Sequence, residues 1–593
     1  MRLGVDTGGT FTDLVADDGR VAKVLSSTAD PGAAVEAGIA ALSGAAPDLL
    51  AHGTTVATNA LLQRRGARVG LVTNEGFTDV IEIGRQDRPS LYNQWADRPT
   101  PLVDRDDRYG IPGRLAADGG EIVPVDVDAM PAIDAAVEAI AVCLLHADLN
   151  DDHERRVAEA LVALGHDVTC SADVSPEFRE YERTLTTVVN AYLRPVCRGY
   201  LRALAAFAHE VLVMTSAGGL AELDTAADRP ASLLLSGPAG GVLAAAAVAA
   251  ANGFPDAITF DMGGTSTDVC LVLGGVPEPA PGRVVGGFPI RLPALDVHTI
   301  GAGGGSIAAL DAGGALRVGP LSAGADPGPA SYGRGGTAPT VTDANLVLGR
   351  LPAGTVLPDL GPLDRDAAVA ALASAGVDAG GVVAVVNAAM EQALRSVSVE
   401  RGVDPRGLAL VAFGGAGPMH ACDLAGALGM PAVLVPGRAG VLSAVGLLCA
   451  PRQRDLVRSW PTPGDHEGLD GAMTALGSEV SRLMGGEGVV DVAVDCRYAG
   501  QSHELTVDGV AAFHEEHRRR NGYARPEAPV EVVALRARAR HASPVALADL
   551  PVPHRTRVVG PDVIVEDDCT VVVPEGWAAE PAQVGALVLR RVT

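Results

Sequence analysis

Short apolar runs alternate with amphipathic stretches along nearly the whole chain. Runs rich in strand formers cover residues 68–73, 139–145, 211–215, 257–260 and 408–413, each followed by glycine or polar turn residues. Between them, apolar positions recur at helical spacing over 31–42, 152–164, 176–206, 364–375 and 382–400. Asn150 or Asp151 is placed to cap the helix that carries His153 and Glu154. Strands that alternate with helices predict an α/β fold. Stretches rich in proline or glycine at 276–287, 320–340, 352–362 and 461–468 punctuate the second half. The last is the predicted linker to a smaller C-terminal α+β module, where 490–497 and 504–507 alternate as strands around Tyr498-Ala499-Gly500-Gln501.

At 593 residues the chain is too long for one ordinary core, and domains of about 100–200 residues are the expectation. The division predicted is 1–175, 176–460 and 461–593. Aromatics make up only 3% of the chain while 48% is hydrophobic, so the core must be built from Ala, Val and Leu. The net charge of −26 repels a phosphate backbone, which excludes nucleic acid as an expected partner. Eight scattered cysteines without a Cys-x-x-Cys pair fit reduced thiols in a cytoplasmic protein. The N-terminus has no signal-like apolar run, and the longest such run, 241–251, is too short to span a bilayer, so no membrane partner is expected.

The candidate chemistry begins with an internal repeat. Asp6-Thr7-Gly8-Gly9-Thr10-Phe11-Thr12-Asp13 and Asp261-Met262-Gly263-Gly264-Thr265-Ser266-Thr267-Asp268 are identical at six of eight positions. Each copy follows a predicted strand and leads into another apolar run, so each reads as strand, glycine turn, strand. A dinucleotide fingerprint or a Walker loop would open into a helix instead. Paired glycines let backbone amides close on an anion, and threonine and serine hydroxyls add donors. The aspartates at the ends, Asp6, Asp13, Asp261 and Asp268, fit ligands to Mg2+ held through water. One such copy is most simply a hairpin turn. Two matched copies predict duplicated lobes that share a nucleotide, as in the two-lobed actin-like ATPase fold.

Two further glycine runs are candidates for close approach of ligand. Gly414, Gly415 and Gly417 lie between a strand and a helix, where a nucleoside can reach a helix N-terminus. Gly303 and Gly304 follow Asp296-Val297-His298-Thr299, and a flexible surface loop explains them equally well.

These motifs together resemble the hydantoinase A/5-oxoprolinase family. The resemblance rests on 4–13, His52-Gly53-Thr54-Thr55-Val56-Ala57-Thr58-Asn59-Ala60, Glu180-Tyr181-Glu182-Arg183-Thr184, 235–241, 260–268, 296–306, 326–333, Thr342-Asp343-Ala344-Asn345 and 413–420, in that order. It implies binding of ATP and Mg2+, phosphorylation of the carbonyl oxygen of a cyclic amide, and ring-opening hydrolysis completed by a hydantoinase B-type subunit. On this reading His52, Thr54, Thr55 and Asn59 lie near the transferred phosphate, and His298 has a proton or orienting role. A ketone carboxylase subunit, a small-molecule kinase of the same fold and a non-catalytic ATP-switched assembly protein are the alternatives. The family's usual Ser-Phe-x-Asn-Pro is replaced here by Ala147-Asp148-Leu149-Asn150-Asp151, which bears on the substrate and leaves the phosphate loops untouched.

Weaker signals have plainer explanations. His514-Glu515-Glu516-His517 has its histidines three apart, not the four of a zinc-protease helix, and reads as a solvated helical face. His146 and His153 could join Asp148 and Asp151 at a metal, yet a strand end followed by a capped helix accounts for them.

Overall fold

The computed structural model describes residues 1–26, 31–42, 44–357 and 361–592. Pro358, Asp359 and Leu360, within the predicted 352–362 loop, lie outside the described residues. Two large mixed sheets and a smaller parallel one organise the chain, in agreement with the α/β expectation.

The first large sheet runs, in spatial order, Leu505–Val507, Val489–Tyr498, Val530–His541, Arg452–Ser459, Leu220–Glu222, Glu210–Met214, Leu49–Thr54, Arg2–Thr7, Phe11–Ala16, Val21–Leu25. The second is built around Ala257–Met262, with Thr267–Leu273 on one side and Ala409–Phe413 and Val433–Val435 on the other. Strands Val69–Asn74, Arg108–Ile111, Ala139–Val142 and Asp167–Cys170 form the parallel sheet. Central strands such as Val69–Asn74 and Ala409–Phe413 are buried throughout, which is why they read as continuous apolar runs.

The strand and helix expectations hold with small shifts at the ends. The predicted 176–206 helix starts at Glu180: Glu177 is drawn into ion pairs with Arg291 and Arg536, and Arg179 adopts a left-handed conformation, φ 79°. The predicted 382–400 helix starts earlier, at Ala379, because the Asp378 side chain caps it by accepting the Gly381 N–H at 2.8 Å.

Domain boundaries differ more. The first sheet does not close at residue 175, because Glu210–Met214 pairs in parallel with Leu49–Thr54. Nor does 461–593 stand apart. Val530–His541 pairs along Arg452–Ser459 and continues the first sheet, although this segment has a small core of its own around Tyr498, Phe513 and Val532. Leu587–Arg591 then pairs with Val433–Val435 in the second sheet. The C-terminal region is thus divided between the two sheets.

Two helices that meet through small residues join the sheets. Gly237–Ala251 packs against Leu442–Cys449, which lies on Arg2–Thr7. The contacts are backbone to backbone: a Cβ on Gly446 would sit 1.8 Å from Gly240 O, and one on Gly4 would sit 2.0 Å from Ala444 O. On the other side, a Cβ on Gly241 would strike the Phe413 ring at 2.5 Å. The Ala-rich run needs no amphipathic stripe because it is enclosed on nearly all sides. No single helix among the described residues is long and apolar enough to cross a membrane.

Gly446→Ala should therefore destabilise the chain by about 3 kcal/mol, as for overpacking at a site that cannot relax. Gly9→Ala, where a Cβ would meet nothing within 4 Å, should leave the melting temperature nearly unchanged. Thermal unfolding of the two variants checks the contrast.

Candidate functional site

In the first hairpin Asp6 is registered opposite Asp13 and Thr7 opposite Thr12. Its turn closes through the Gly8 N–H, which donates to Phe11 O at 3.0 Å. The second hairpin repeats this position by position: Asp261 faces Asp268, Met262 faces Thr267, and the Gly263 N–H donates to Ser266 O at 3.1 Å. Each is flanked by a parallel strand, Leu49–Thr54 or Ala409–Phe413, that passes through a short turn into a helix, Val56–Leu62 or Gly417–Leu428. The repeated unit is therefore hairpin, strand and helix, and His52-Gly53-Thr54-Thr55 and Phe413-Gly414-Gly415-Ala416 occupy matching places in it. The two turns meet, since a Cβ on Gly264 would lie 3.3 Å from Thr10 Oγ1.

Four carboxylates are enclosed where the turns meet. Burial, followed by repulsion from Asp13, pushes Asp6 up to about 7. Asp261 is raised well above the usual carboxylate range by burial and then by Asp268, Asp6 and Asp13. Burial lifts Asp268 to about 6 and also raises Asp13, against the pull of Lys23. The Lys23 Nζ donates to Asp13 Oδ1 at 2.7 Å, and Lys23 is the single lysine in the chain, beside 45 arginines.

This donor set fits a hard divalent cation, the natural counter-charge for crowded carboxylates. Among the described residues, three ligand atoms converge within 4.8 Å only at Glu566, Asp568 and Cys569. There Glu566 is held by both arms of Arg555, at 2.7 and 2.5 Å, and Asp568 accepts the Gly440 N–H at 2.9 Å, so that group is occupied by structural bonds. The four aspartates are spaced more widely, as suits a cation that keeps its water.

The remaining predicted residues divide into three groups. Thr54, Thr55 and Asn59 do gather beside the first turn: Thr55 Oγ1 donates to Thr7 O at 3.3 Å and the Asn59 amide donates to Thr55 Oγ1 at 3.3 Å. Gly414, with φ 78°, brings the chain so close to Asp261 that a Cβ would sit 2.3 Å from its Oδ1, and beside Gly415 there is open space. Gly417 begins the helix beneath the second hairpin, and the Ala416 N–H donates to Met262 O at 3.0 Å.

A second group is turned to internal use. Thr12 Oγ1 bonds Ser26 Oγ at 2.9 Å and Thr267 Oγ1 donates to Ala302 O at 2.5 Å. Gly303 and Gly304 are buried against the second turn: the Gly304 N–H donates to Gly263 O at 3.0 Å, and a Cβ on Gly303 would sit 2.7 Å from Thr265 N. This run is neither a flexible surface loop nor free to wrap a phosphate; it buttresses the hairpin.

Two histidines depart from expectation. His52 is fully buried on the face of its strand opposite Gly53 and Asp6, and its Nε2 bonds Tyr200 Oη at 2.8 Å. Burial pulls its pKa down to about 4, so it is neutral. His298 is exposed on an edge strand, and its neighbour Thr299 is the residue that reaches the site, donating to Asp268 Oδ1 at 2.5 Å.

Several motif residues prove architectural. Asp343 accepts the N–H groups of Ala330, Ser331 and Thr340, which ties the 326–333 and 342–345 motifs together. Asn345 reaches His420 at 3.1 Å, and Asn387 holds the other ring nitrogen at 2.7 Å. Arg183 is buried against Asp148 and donates to Leu144 O at 2.8 Å. Asp148, Asp151 and His153 pair with Arg183, Arg155 and Glu121, and among the described residues these side chains do not converge as metal ligands. His517 is buried among Tyr498, Phe513 and Tyr523 and is not part of a solvated face. Lys23 and Thr299 escaped sequence reasoning because register alone brings them to the aspartates. The solitary lysine of an arginine-rich chain was the available signal.

A family model described as hydantoinase/oxoprolinase matches residues 183–455, and one for the hydantoinase/oxoprolinase N-terminal region matches residues 2–165. The caprolactamase subunit alpha of Pseudomonas jessenii is 36% identical over 97% of this chain and 97% of its own length. The solved ATP-dependent caprolactamase from Pseudomonas jessenii has the same mixed α/β fold, with a TM-score of 0.85 at 33% identity and full coverage of both chains. The nucleotide-free acetone carboxylase structure matches with a TM-score of 0.79 at 25% identity, over 100% of this chain and 99% of that one.

In metal-free buffer the raised aspartates make stability depend on pH. Their folded values, about 7 for Asp6 and about 6 for Asp268, exceed the ordinary 3.8. The stability they contribute is therefore complete below about pH 4 and is lost as pH rises through 6 and 7. Asp268→Asn, which cannot charge, should gain on the wild type in melting temperature as pH rises from about 4 to about 6 and keep that gain at higher pH, the window set by the Asp268 shift. Added Mg2+ should narrow that gap by stabilising the wild type.

Proposed function

The chain belongs to the hydantoinase/oxoprolinase family, and on that premise we propose that it binds ATP between the two hairpins and uses it to open a cyclic amide. The observation that carries this reading is the meeting of two matched aspartate turns, each in the same hairpin, strand and helix unit. We read these units as the two lobes of an actin-like ATPase. Gly8, Gly9 and Thr10 on one side and Gly263, Gly264, Thr265 and Ser266 on the other hold the phosphates. Gly414, Gly415 and Gly417 border the nucleoside. Asp6, Asp13, Asp261 and Asp268 would hold Mg2+ through water, and the bound ion would neutralise phosphate charge.

An amide carbon is a poor electrophile. Attack of the amide oxygen on the terminal phosphoryl group of ATP releases ADP and leaves a phosphorylated oxygen, so that water can add at carbon, the ring C–N bond can break as the nitrogen takes a proton, and a second water can hydrolyse the resulting acyl phosphate to carboxylate and phosphate. Thr55 and Asn59, beside the first turn, orient the reacting groups. His52 and Tyr200 brace the strand from its far face and exchange no proton with substrate. The related caprolactamase protein is named as a subunit alpha, which supports a second, B-type subunit as the place where hydrolysis is completed.

A second reading, ATP-dependent ketone carboxylation, is favoured by the full-length match to acetone carboxylase. Phosphate release by the chain co-expressed with a B-type subunit separates the two. Stimulation by caprolactam, 5-oxoproline or hydantoin supports ring opening, whereas stimulation only by acetone with bicarbonate supports carboxylation.

Calorimetry with ATP and Mg2+ tests the nucleotide site itself. Asp13→Ala and Asp261→Ala should each weaken Mg2+-dependent binding by about tenfold or more, the loss of a charged contact to a cation–phosphate group. Unchanged affinity in both variants would remove these residues from the site.

A further inference from the structure

Away from the hairpins, a cavity of about 830 Å3 lies where the parallel sheet, the first large sheet and the segment beginning at Pro461 come together. Thr215 and Ala217 contribute to it from the end of Glu210–Met214. That strand is the parallel neighbour of Leu49–Thr54, so the cavity opens on the same carboxyl edge as the first aspartate turn, further along the sheet.

Arg229 and Arg454 share this wall. Among the described residues the Arg229 guanidinium makes no ion pair and no hydrogen bond. Arg454 donates from Nη1 to Thr225 Oγ1 at 2.9 Å, and its Nε is buried without a partner. A third guanidinium backs the same wall. Arg283 donates to Ser216 Oγ at 2.6 Å and to Ala231 O at 3.2 Å, while its Nε and Nη1 are buried and unpartnered. Burial without a counter-charge pulls Arg283 down to about 9, and burial followed by repulsion from Arg454 lowers Arg229.

Most acidic groups of the cavity are engaged by other partners. Asp148 pairs with Arg183, and Asp151 and Asp173 both pair with Arg155. Glu177 is held by Arg291 and Arg536, Asp455 by Arg538, and Glu479 by Arg458. Asp118 accepts the Gly120 N–H of its own turn at 2.9 Å. Asp173 in the wall and Asp228 outside it both act favourably on Arg229, and Asp228 is shared by Arg194 and Arg198. Guanidinium groups that have no dedicated carboxylate partner, in a chain of net charge −26, offer an anion a place to bind.

We propose that this cavity binds a small oxyanion, a carboxylate or phosphate group, between Arg229 and Arg454, at a site separate from the nucleotide cleft. Planar guanidinium groups match the two oxygens of such a group with paired hydrogen bonds. The Arg283 charge behind them adds attraction at longer range. The cavity volume leaves room for an organic acid as well as for inorganic phosphate. The assignment stands whether or not the chain opens cyclic amides.

The test is calorimetry and thermal unfolding of the full chain with glutarate, inorganic phosphate and, as the uncharged control, glutaramide. Saturable binding of glutarate or phosphate below roughly 10 mM is expected, with no binding of glutaramide. Arg229→Gln and Arg454→Gln should each weaken it about tenfold, and the double variant should lose it. Both variants should keep ATP affinity and should not melt earlier than wild type, since each removes an unbalanced charge. Binding by glutarate alone assigns a carboxylate ligand, by phosphate alone a phosphoryl ligand, and by both a general oxyanion site. Absence of binding by either anion, equal binding of glutaramide, unchanged affinity in both variants, or displacement of the probe by ATP would each overturn the assignment.

Discussion

Like-charge crowding at the meeting point of two hairpin turns is the interaction on which the structure's arrangement depends. Asp6, Asp13, Asp261 and Asp268 stand together with a single lysine to oppose them. Such a group is unfavourable by itself, and a multivalent cation between the turns, as in the proposed nucleotide site, would offset the repulsion. The fold must hold the carboxylates close against their own repulsion. It does so with backbone pairing, which is insensitive to charge: each aspartate pair is fixed by a two-stranded register and by the parallel strand next to it.

The same requirement explains the composition. Two sheets can bring their turns face to face only if what lies between them is thin. Gly237–Ala251 and Leu442–Cys449 meet through Gly240 and Gly446 at backbone distance, and Gly4 admits the second helix onto the first sheet. A core of Ala and Val, poor in aromatics, follows from that spacing. The buttress at 301–306 belongs to the same economy of space, with glycines that press backbone on backbone behind the second turn.

Charge is distributed unevenly over one sheet edge. The aspartate turns gather carboxylates at one point, and Arg229, Arg454 and Arg283, which have no dedicated carboxylate partner among the described residues, gather further along the first sheet. Nearly all other arginines at that end, including Arg183, Arg291 and Arg536, are spent on carboxylates that lock the parallel sheet and the C-terminal strands to the first sheet.

By itself, the sequence determined what is local. Alternating runs specified α/β layers, and the duplicated Asp-x-Gly-Gly-Thr-x-Thr-Asp specified two turns of the same form, because strand, glycine turn and strand are encoded within a few residues. Lys23 could be noticed as the only lysine, but not placed. What depended on long-range register was decided by the tertiary structure. It turned His52 to the far face of its strand, put Thr299 rather than His298 at Asp268, and buried Gly303 and Gly304 behind the hairpin. It also divided 461–593 between two sheets. A one-residue change of register moves a side chain to the opposite face, and the choice of register is made by packing across hundreds of residues. The unpaired arginines were illegible for the same reason: a charge is uncompensated only in relation to neighbours that folding brings close, or fails to.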